Sequence, residues 1–150
     1  MRLTLHTDLA LRVMVYLAQY QDRLCSISEI SRFYDVSHNH LVKVAHGLVR
    51  KGYIESARGR MGGLRLARAA SEISVGEIVR SMEDCLDLVD CTTCRLAPGC
   101  GLRGLIGQAM AAFLHVLDEC TIAQLQGEAT GILSILSTQQ LPPTQTLQQR

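Results

Sequence analysis

A chain of 150 residues with 47% hydrophobic residues and no Trp can build one aliphatic domain, or a small domain carrying an oligomerisation element. The net charge of +1 hides a division: residues 1–70 hold 11 Lys/Arg against 5 Asp/Glu, and residues 71–150 hold 4 against 9. A basic first half points to nucleic acid and an acidic second half to another task. Asp8 and Arg12 break the N-terminal apolar run, which argues against a signal peptide or membrane span and for a soluble, cytoplasmic protein.

Thr7 is the expected N-cap of a first helix from Asp8 to Gln19, with Leu9, Ala10, Val13, Met14, Leu17 and Ala18 on one stripe. Ser26-Ile-Ser-Glu29 reads as a capping box opening a short second helix through Phe33 or Tyr34. A turn at Asp35-Val36 follows. Ser37 then caps a third helix reaching Lys51, with Gly52 as its stop. Short strands at Tyr53–Ala57 and Leu64–Leu66 flank the loop Arg58-Gly-Arg-Met-Gly-Gly63. This order predicts a mainly α fold with a small β-hairpin, a winged helix-turn-helix.

Ser74 is placed to cap a fourth helix through Met82 or Glu83, and a cysteine-rich loop leads into a long helix from Gly101 to Asp118. Leu102, Leu105, Ile106, Ala109, Phe113 and Leu117 form a stripe on that helix. It is more than a small domain easily buries, so a homodimer interface is expected over an intramolecular core. The chain thus divides into a DNA-binding domain (1–83), a cysteine loop (84–100), a dimerisation helix with a following short helix (101–126) and a flexible tail (127–150). The tail is Gln/Thr/Pro-rich from Thr138. There is no internal repeat.

On the third helix Leu41, Val44, Ala45 and Leu48 face the core, leaving His38, Asn39, Val42, Lys43, His46 and Arg50 to solvent. The N-terminal part of such a helix enters the major groove, where His38, Asn39 and His40 are able to read base edges. Solvated surface histidines are the plain alternative. Lys43 and Arg50 suit phosphates, and Ser37 suits a helix cap, a phosphate contact or both. In the wing, Arg58 and Arg60 stand beside Gly59, Gly62 and Gly63, an arrangement suited to a narrow minor groove. The loop lacks the lysine and hydroxyl of a nucleotide-binding P-loop, so DNA is favoured.

Cys91, Cys94 and Cys100 put three of the six cysteines into ten residues. In a reducing compartment such thiols point to metal or redox chemistry rather than disulfides. Pro98-Gly99 turns the chain before Cys100, which opens the long helix at the end that favours negative charge. Three thiols leave an iron–sulfur or zinc site one ligand short, and for zinc Cys85, Asp87 and Asp90 are the nearby candidates. A Cys-x-x-Cys redox switch is a third reading, without the strand pattern that usually accompanies it. Cys25 and Cys120 read as ordinary buried thiols. No catalytic constellation is present, so an enzyme is not expected.

In order, the chain carries Met1-Arg-Leu-Thr4, Thr7-Asp8-Leu-Ala-Leu-Arg12, the helix-turn-helix, the wing Ala57-Arg-Gly-Arg-Met-Gly-Gly63 and Ser74-Val-Gly-Glu77-Ile-Val-Arg80. The three cysteines, Phe113-Leu-His-Val-Leu-Asp118 and Thr121-Ile-Ala-Gln-Leu125 follow. This set resembles the bacterial winged-helix iron–sulfur transcription regulators that include IscR, RirA and NsrR, over roughly residues 1–126. Within them the chain is most similar to the nitric-oxide-sensing repressors of the NsrR type. Arg103 stands where the IscR type has a histidine.

The resemblance implies a homodimeric repressor of double-stranded operator DNA with nitric oxide as effector. It implies a [4Fe-4S] cluster, with [2Fe-2S] as the alternative, held by Cys91, Cys94, Cys100 and the partner subunit's Asp8, with Arg12 as its neighbour. One departure stands out: only two residues separate Cys91 from Cys94, a shorter arc than in better-known members. An iron- or cluster-supply regulator of the same family is one alternative. A zinc-stabilised protein-interaction module is another, of a different class.

Overall fold

The N-terminal apolar stripe forms helix α1 (Leu5–Gln19), one turn longer than expected, in a computed structural model that describes residues 2–59, 62–95 and 99–127. Its N-cap is Thr4 rather than Thr7. The Thr4 Oγ1 accepts the Thr7 N–H at 3.2 Å, and Thr7 itself is fully buried inside the first turn. Both threonines are chemically able to cap. The outer one prevails because Glu83, at the far end of the domain's sequence, holds it.

Helix α2 (Ile27–Tyr34) has the complete capping box, with Ser26 and Glu29 each accepting from the other's backbone. It ends at Asp35, whose φ of 51° is left-handed and turns the chain into the next helix. Helix α3 (His38–Arg50) follows. Ser37 is its N-cap residue, but its side chain makes no capping bond. The stop at Gly52 has φ +77°, a conformation that favours glycine.

Strands β1 (Ile54–Ala57) and β2 (Gly63–Leu66) pair antiparallel, Ile54 opposite Leu66 and Ala57 opposite Gly63. Each strand's start moves one residue from the sequence expectation, β1 later and β2 earlier, while both ends fall as expected. Cys25 adds a rung on the other edge, its N–H donating to the Leu64 carbonyl at 3.0 Å and its carbonyl accepting in return at 2.8 Å. A side chain at position 63 would press on the Cys25 carbonyl, which explains the glycine there.

Helix α4 (Val75–Met82) is capped by Ser74, and α5 (Gly101–Asp118) has the expected bounds. A short α6 (Gln124–Gly127) closes the described chain. Before it, Val75 N–H donates to the Cys120 carbonyl and Ile122 N–H to that of Ile73, at 2.8 and 2.9 Å. This return bridge buries Ile122 and brings the end of α5 back to the domain.

The core lies between α1, α3 and α4, with Leu9, Met14, Leu17, Leu41, Leu48 and Ile78 fully enclosed. Each such side chain contributes about 1.5–3 kcal/mol by leaving water. Helix α5 differs. None of its side chains is buried among the described residues, and only Leu114 and Leu117 lean on the core. Cys120 is half-buried rather than buried. Among the described residues no helix is long and apolar enough to cross a membrane. The expected tail lies outside the described residues apart from Gly127.

Candidate functional site

The first half of α3 presents His38, Asn39 and His40 in succession, all exposed, directly after an exposed Ser37. Lys43 and Arg50 are exposed further along the helix, while Leu41, Val44, Ala45 and Leu48 anchor its inner face. The expected division into an inner and an outer face therefore holds. His40 and Lys43 also border a cleft of about 180 Å³ with Leu5, His6, Leu9 and Val44, so that side of the helix faces the start of α1. Arg58 is exposed at the wing; Arg60 lies outside the described residues. The described part of this surface carries Lys43 and Arg50 on the helix and Arg58 on the hairpin.

The second group follows the C-terminal end of α4. All six cysteines are free thiols; Cys94 is exposed, and Cys91 and Cys100 are half-buried. Residues 84–95 of their loop form no helix or strand. Cys94 N–H reaches the Cys91 carbonyl at 3.4 Å, and Asp87 N–H reaches the Cys85 Sγ at 3.4 Å. The Thr92 hydroxyl and N–H donate to Asp90 Oδ1 at 2.6 and 2.9 Å, which holds that carboxyl below its usual range. Between this loop and α5 lies a cleft of about 700 Å³, bordered by Cys85, Leu88, Val89, Cys91, Arg103 and Met110.

Among the described residues no three of His, Cys, Asp and Glu are gathered as a metal group. The three cysteines are not brought together in one chain, nor are Cys85, Asp87 and Asp90 drawn in with them. Asp8 is elsewhere, half-exposed on α1, where its carboxylate pairs with Arg12 at 2.9 Å. The Arg12 carbonyl accepts the Tyr34 hydroxyl at 3.1 Å, and the guanidinium stands 5.8 Å from the Tyr34 ring centre. Burial pushes the Tyr34 phenol up to about 12, against the pull of Arg12. Arg12 thus abuts the end of α2, with Asp8 paired to it one helical turn earlier.

A family model described as Rrf2, iron-dependent transcriptional regulator, matches residues 3–128. The chain belongs to the Rrf2 family of transcriptional regulators. It is 41% identical over 149 residues to the HTH-type transcriptional regulator NsrR of Shouchella clausii, covering 93% of this chain and all of the relative. The NsrR of Halalkalibacterium halodurans is 44% identical over 131 residues, covering 83% of this chain and 90% of the relative. In fold, the chain is similar to CymR, the global cysteine regulator of B. subtilis, with TM-score 0.72 and 24% identity over 85% of this chain and 98% of that one. T. potens IscR gives TM-score 0.69 at 22% identity, covering 95% of this chain and 93% of that one.

Rrf2 membership makes the protein a DNA-binding winged-helix regulator rather than an enzyme. Two sets of residues escaped sequence reasoning. Glu83 grips Thr4, and Gly76 admits Asp118 against α4, where it forms a two-pronged ion pair with Arg80. The only local sign was a glycine in the first turn of α4, where a better helix former is expected.

Proposed function

We propose that this Rrf2 protein is a cytoplasmic homodimeric repressor that senses nitric oxide through an iron–sulfur cluster, most simply [4Fe-4S]. Its ligands are Cys91, Cys94 and Cys100 of one subunit and Asp8 of the partner subunit. The observation that carries the reading is the loop itself: three soft donors, free as thiols, on a segment whose residues 84–95 form no helix or strand. The donor set fits such a group. Thiolates suit iron–sulfur clusters, and Cys100 is the N-cap of an eighteen-residue helix with no side-chain cap bond, so first-turn N–H groups remain for an anionic centre.

When bound, the cluster supplies iron that reacts with nitric oxide. The chain supplies the rest. The cysteine loop binds, Asp8 completes the set as a hard oxygen among soft sulfurs, and Arg12 orients its carboxylate. Helix α1 passes the consequence to α3, against which it packs directly. In the DNA-competent state His38, Asn39 and His40 face base edges, Lys43, Arg50 and Ser37 face phosphates, and Arg58 and Arg60 reach the minor groove. Residues 1–83, 84–100 and 101–126 are thus reader, sensor loop and dimerisation segment.

The test is anaerobic reconstitution followed by nitric oxide titration, read by operator binding. Asp8→Ala is expected to leave a dimer that holds its cluster weakly or responds poorly; unchanged behaviour on both counts refutes the ligand assignment. The iron dependence of the Rrf2 family favours a second reading in which iron or cluster supply is the signal. Release of operator on iron chelation, with no response to nitric oxide, selects it. Colourless, zinc-loaded protein would instead support a zinc-stabilised module.

A further inference from the structure

Glu83 closes α4 as its C-cap residue, and the cysteine loop begins at the next position. Its Oε1 accepts the Thr4 N–H at 2.7 Å and the Thr4 hydroxyl at 3.1 Å, across 79 positions of sequence. Thr4 is the N-cap of α1, and its carbonyl accepts the Asp8 N–H at 3.0 Å. Burial raises the Glu83 carboxyl, but the hydrogen bonds from Thr4 and Thr7 outweigh it and hold it below its usual range, so it stays an ionised acceptor. Two hydrogen bonds therefore separate the Asp8 backbone from the root of its own subunit's cysteine loop.

Resting on the ligand set proposed above, this path crosses the dimer. Asp8 serves the partner's cysteines, while Glu83 belongs to the loop of its own subunit. We propose that Glu83 is a positioning residue that couples the two cluster sites of the dimer, each subunit's loop setting the Asp8 that it donates to the other. The links close into a ring: loop to Glu83 to Asp8 to the second site, then back through the second subunit. Losing one cluster frees its loop, loosens Glu83 and Thr4 beside it without parting their hydrogen bonds, and weakens the ligand at the other site. Coupling of this kind is reciprocal.

The simpler role for Glu83 is to support its own loop and helix cap. The two roles separate in mixed dimers purified through two different tags. One subunit carries Cys91→Ala and Cys94→Ala, so the dimer holds a single cluster, on the other subunit's cysteines. That cluster takes its Asp8 from the cysteine-deficient subunit. With Glu83→Ala placed in the cysteine-deficient subunit, cluster loss to an iron chelator, followed by visible absorbance, is expected to be about tenfold faster, in keeping with a charge-assisted hydrogen bond. With Glu83→Ala in the cluster-bearing subunit, the rate should stay within about twofold of the unmutated mixed dimer.

Equal rates in the two placements, or acceleration only in the second, overturn the coupling. Melting of the cluster-free dimers shows whether the variants fold. Should Glu83→Ala fail to fold, Glu83→Gln in the same placements keeps one acceptor oxygen and loses the charge. It is expected to accelerate loss about threefold in the first placement alone, and no acceleration there overturns the proposal. Asp8→Ala in the cysteine-deficient subunit serves as the control. If it leaves cluster loss unchanged, the ligand assignment falls and the coupling with it. If it accelerates loss while Glu83→Ala does not, only the coupling falls.

Discussion

Gly76→Ala should destabilise the protein although it replaces a helical glycine with the best helix former. Gly76 is buried in the first turn of α4, and a Cβ there would stand 2.9 Å from Asp118 Cγ and 3.0 Å from the Asp118 backbone nitrogen. The helix-propensity gain from glycine to alanine is about 1 kcal/mol at most, and less in a first turn. Forcing an extra methyl into a tight contact costs about 1–3 kcal/mol. The Asp118 side chain is able to swing away, but only by leaving Arg80, and its backbone nitrogen has no rotamer to change. Overpacking wins, with a net loss of about 1–2 kcal/mol. Urea denaturation followed by circular dichroism, at one fixed protein concentration, reads this as a lower midpoint. In an Asp118→Ala background about half of the loss should disappear, because two of the three nearest contacts are gone. A Gly76→Ala protein as stable as the parent, or more so, would refute the close approach of α5 to α4.

Four further outcomes are expected. Arg50→Ala should weaken operator and unrelated duplex alike and reduce the slope of log affinity against log salt by about 1, as measured by anisotropy titrations. His38→Ala or Asn39→Ala should instead cost about 1–3 kcal/mol on operator alone; equal losses on both duplexes would remove them from base reading. Cys94→Ala should abolish iron–sulfur absorbance while shifting cluster-free stability by no more than about 0.5 kcal/mol, since the side chain is exposed. Glu29 is held below its usual pKa by hydrogen bonds from Arg23 and the Tyr16 phenol, partly opposed by burial. A depressed carboxyl contributes its full stability above the unfolded value of about 4.3 and loses it as pH falls through the folded one. Glu29→Gln should therefore flatten the acid limb of the melting temperature below about pH 5.

What was legible in the sequence is what a few neighbouring residues decide. Ser26 and Glu29 cap α2 from three residues apart, and the stripe from Leu41 to Leu48 is enough to separate the inner from the outer face of α3. The start of α1 was not legible, because the competition between Thr4 and Thr7 is settled by Glu83, which no local pattern connects to them. Ser37 illustrates the opposite failure: the residue type at the cap position was right, but the capping bond is not made. At the candidate site, spacing marked the three cysteines and left their gathering open. In the proposed site the oxygen donor comes from the partner subunit, and among the described residues of one chain no three potential ligands are gathered.

The same reasoning explains why α5 is built as it is. Gly101, Gly104 and Gly107 fall in its first seven residues, each weakening a helix by about 1 kcal/mol relative to alanine. Among the described residues a Cβ at any of the three would meet nothing, so contacts within the chain do not require them. Leu102 and Leu105 on the same stretch are 57% and 62% exposed. The first half of α5 thus has weak propensity and little packing, and isolated helices of such length are marginal in water. Its second half is anchored, by Leu114 and Leu117 on the core and by Asp118 on Arg80. In the proposed dimer the unsupported half, which starts at Cys100, is stabilised by a second subunit and by an occupied cysteine site together. A helix strong enough to stand alone would insulate the two; in the proposed dimer this one would make the state of the site and the grip of the dimer depend on each other.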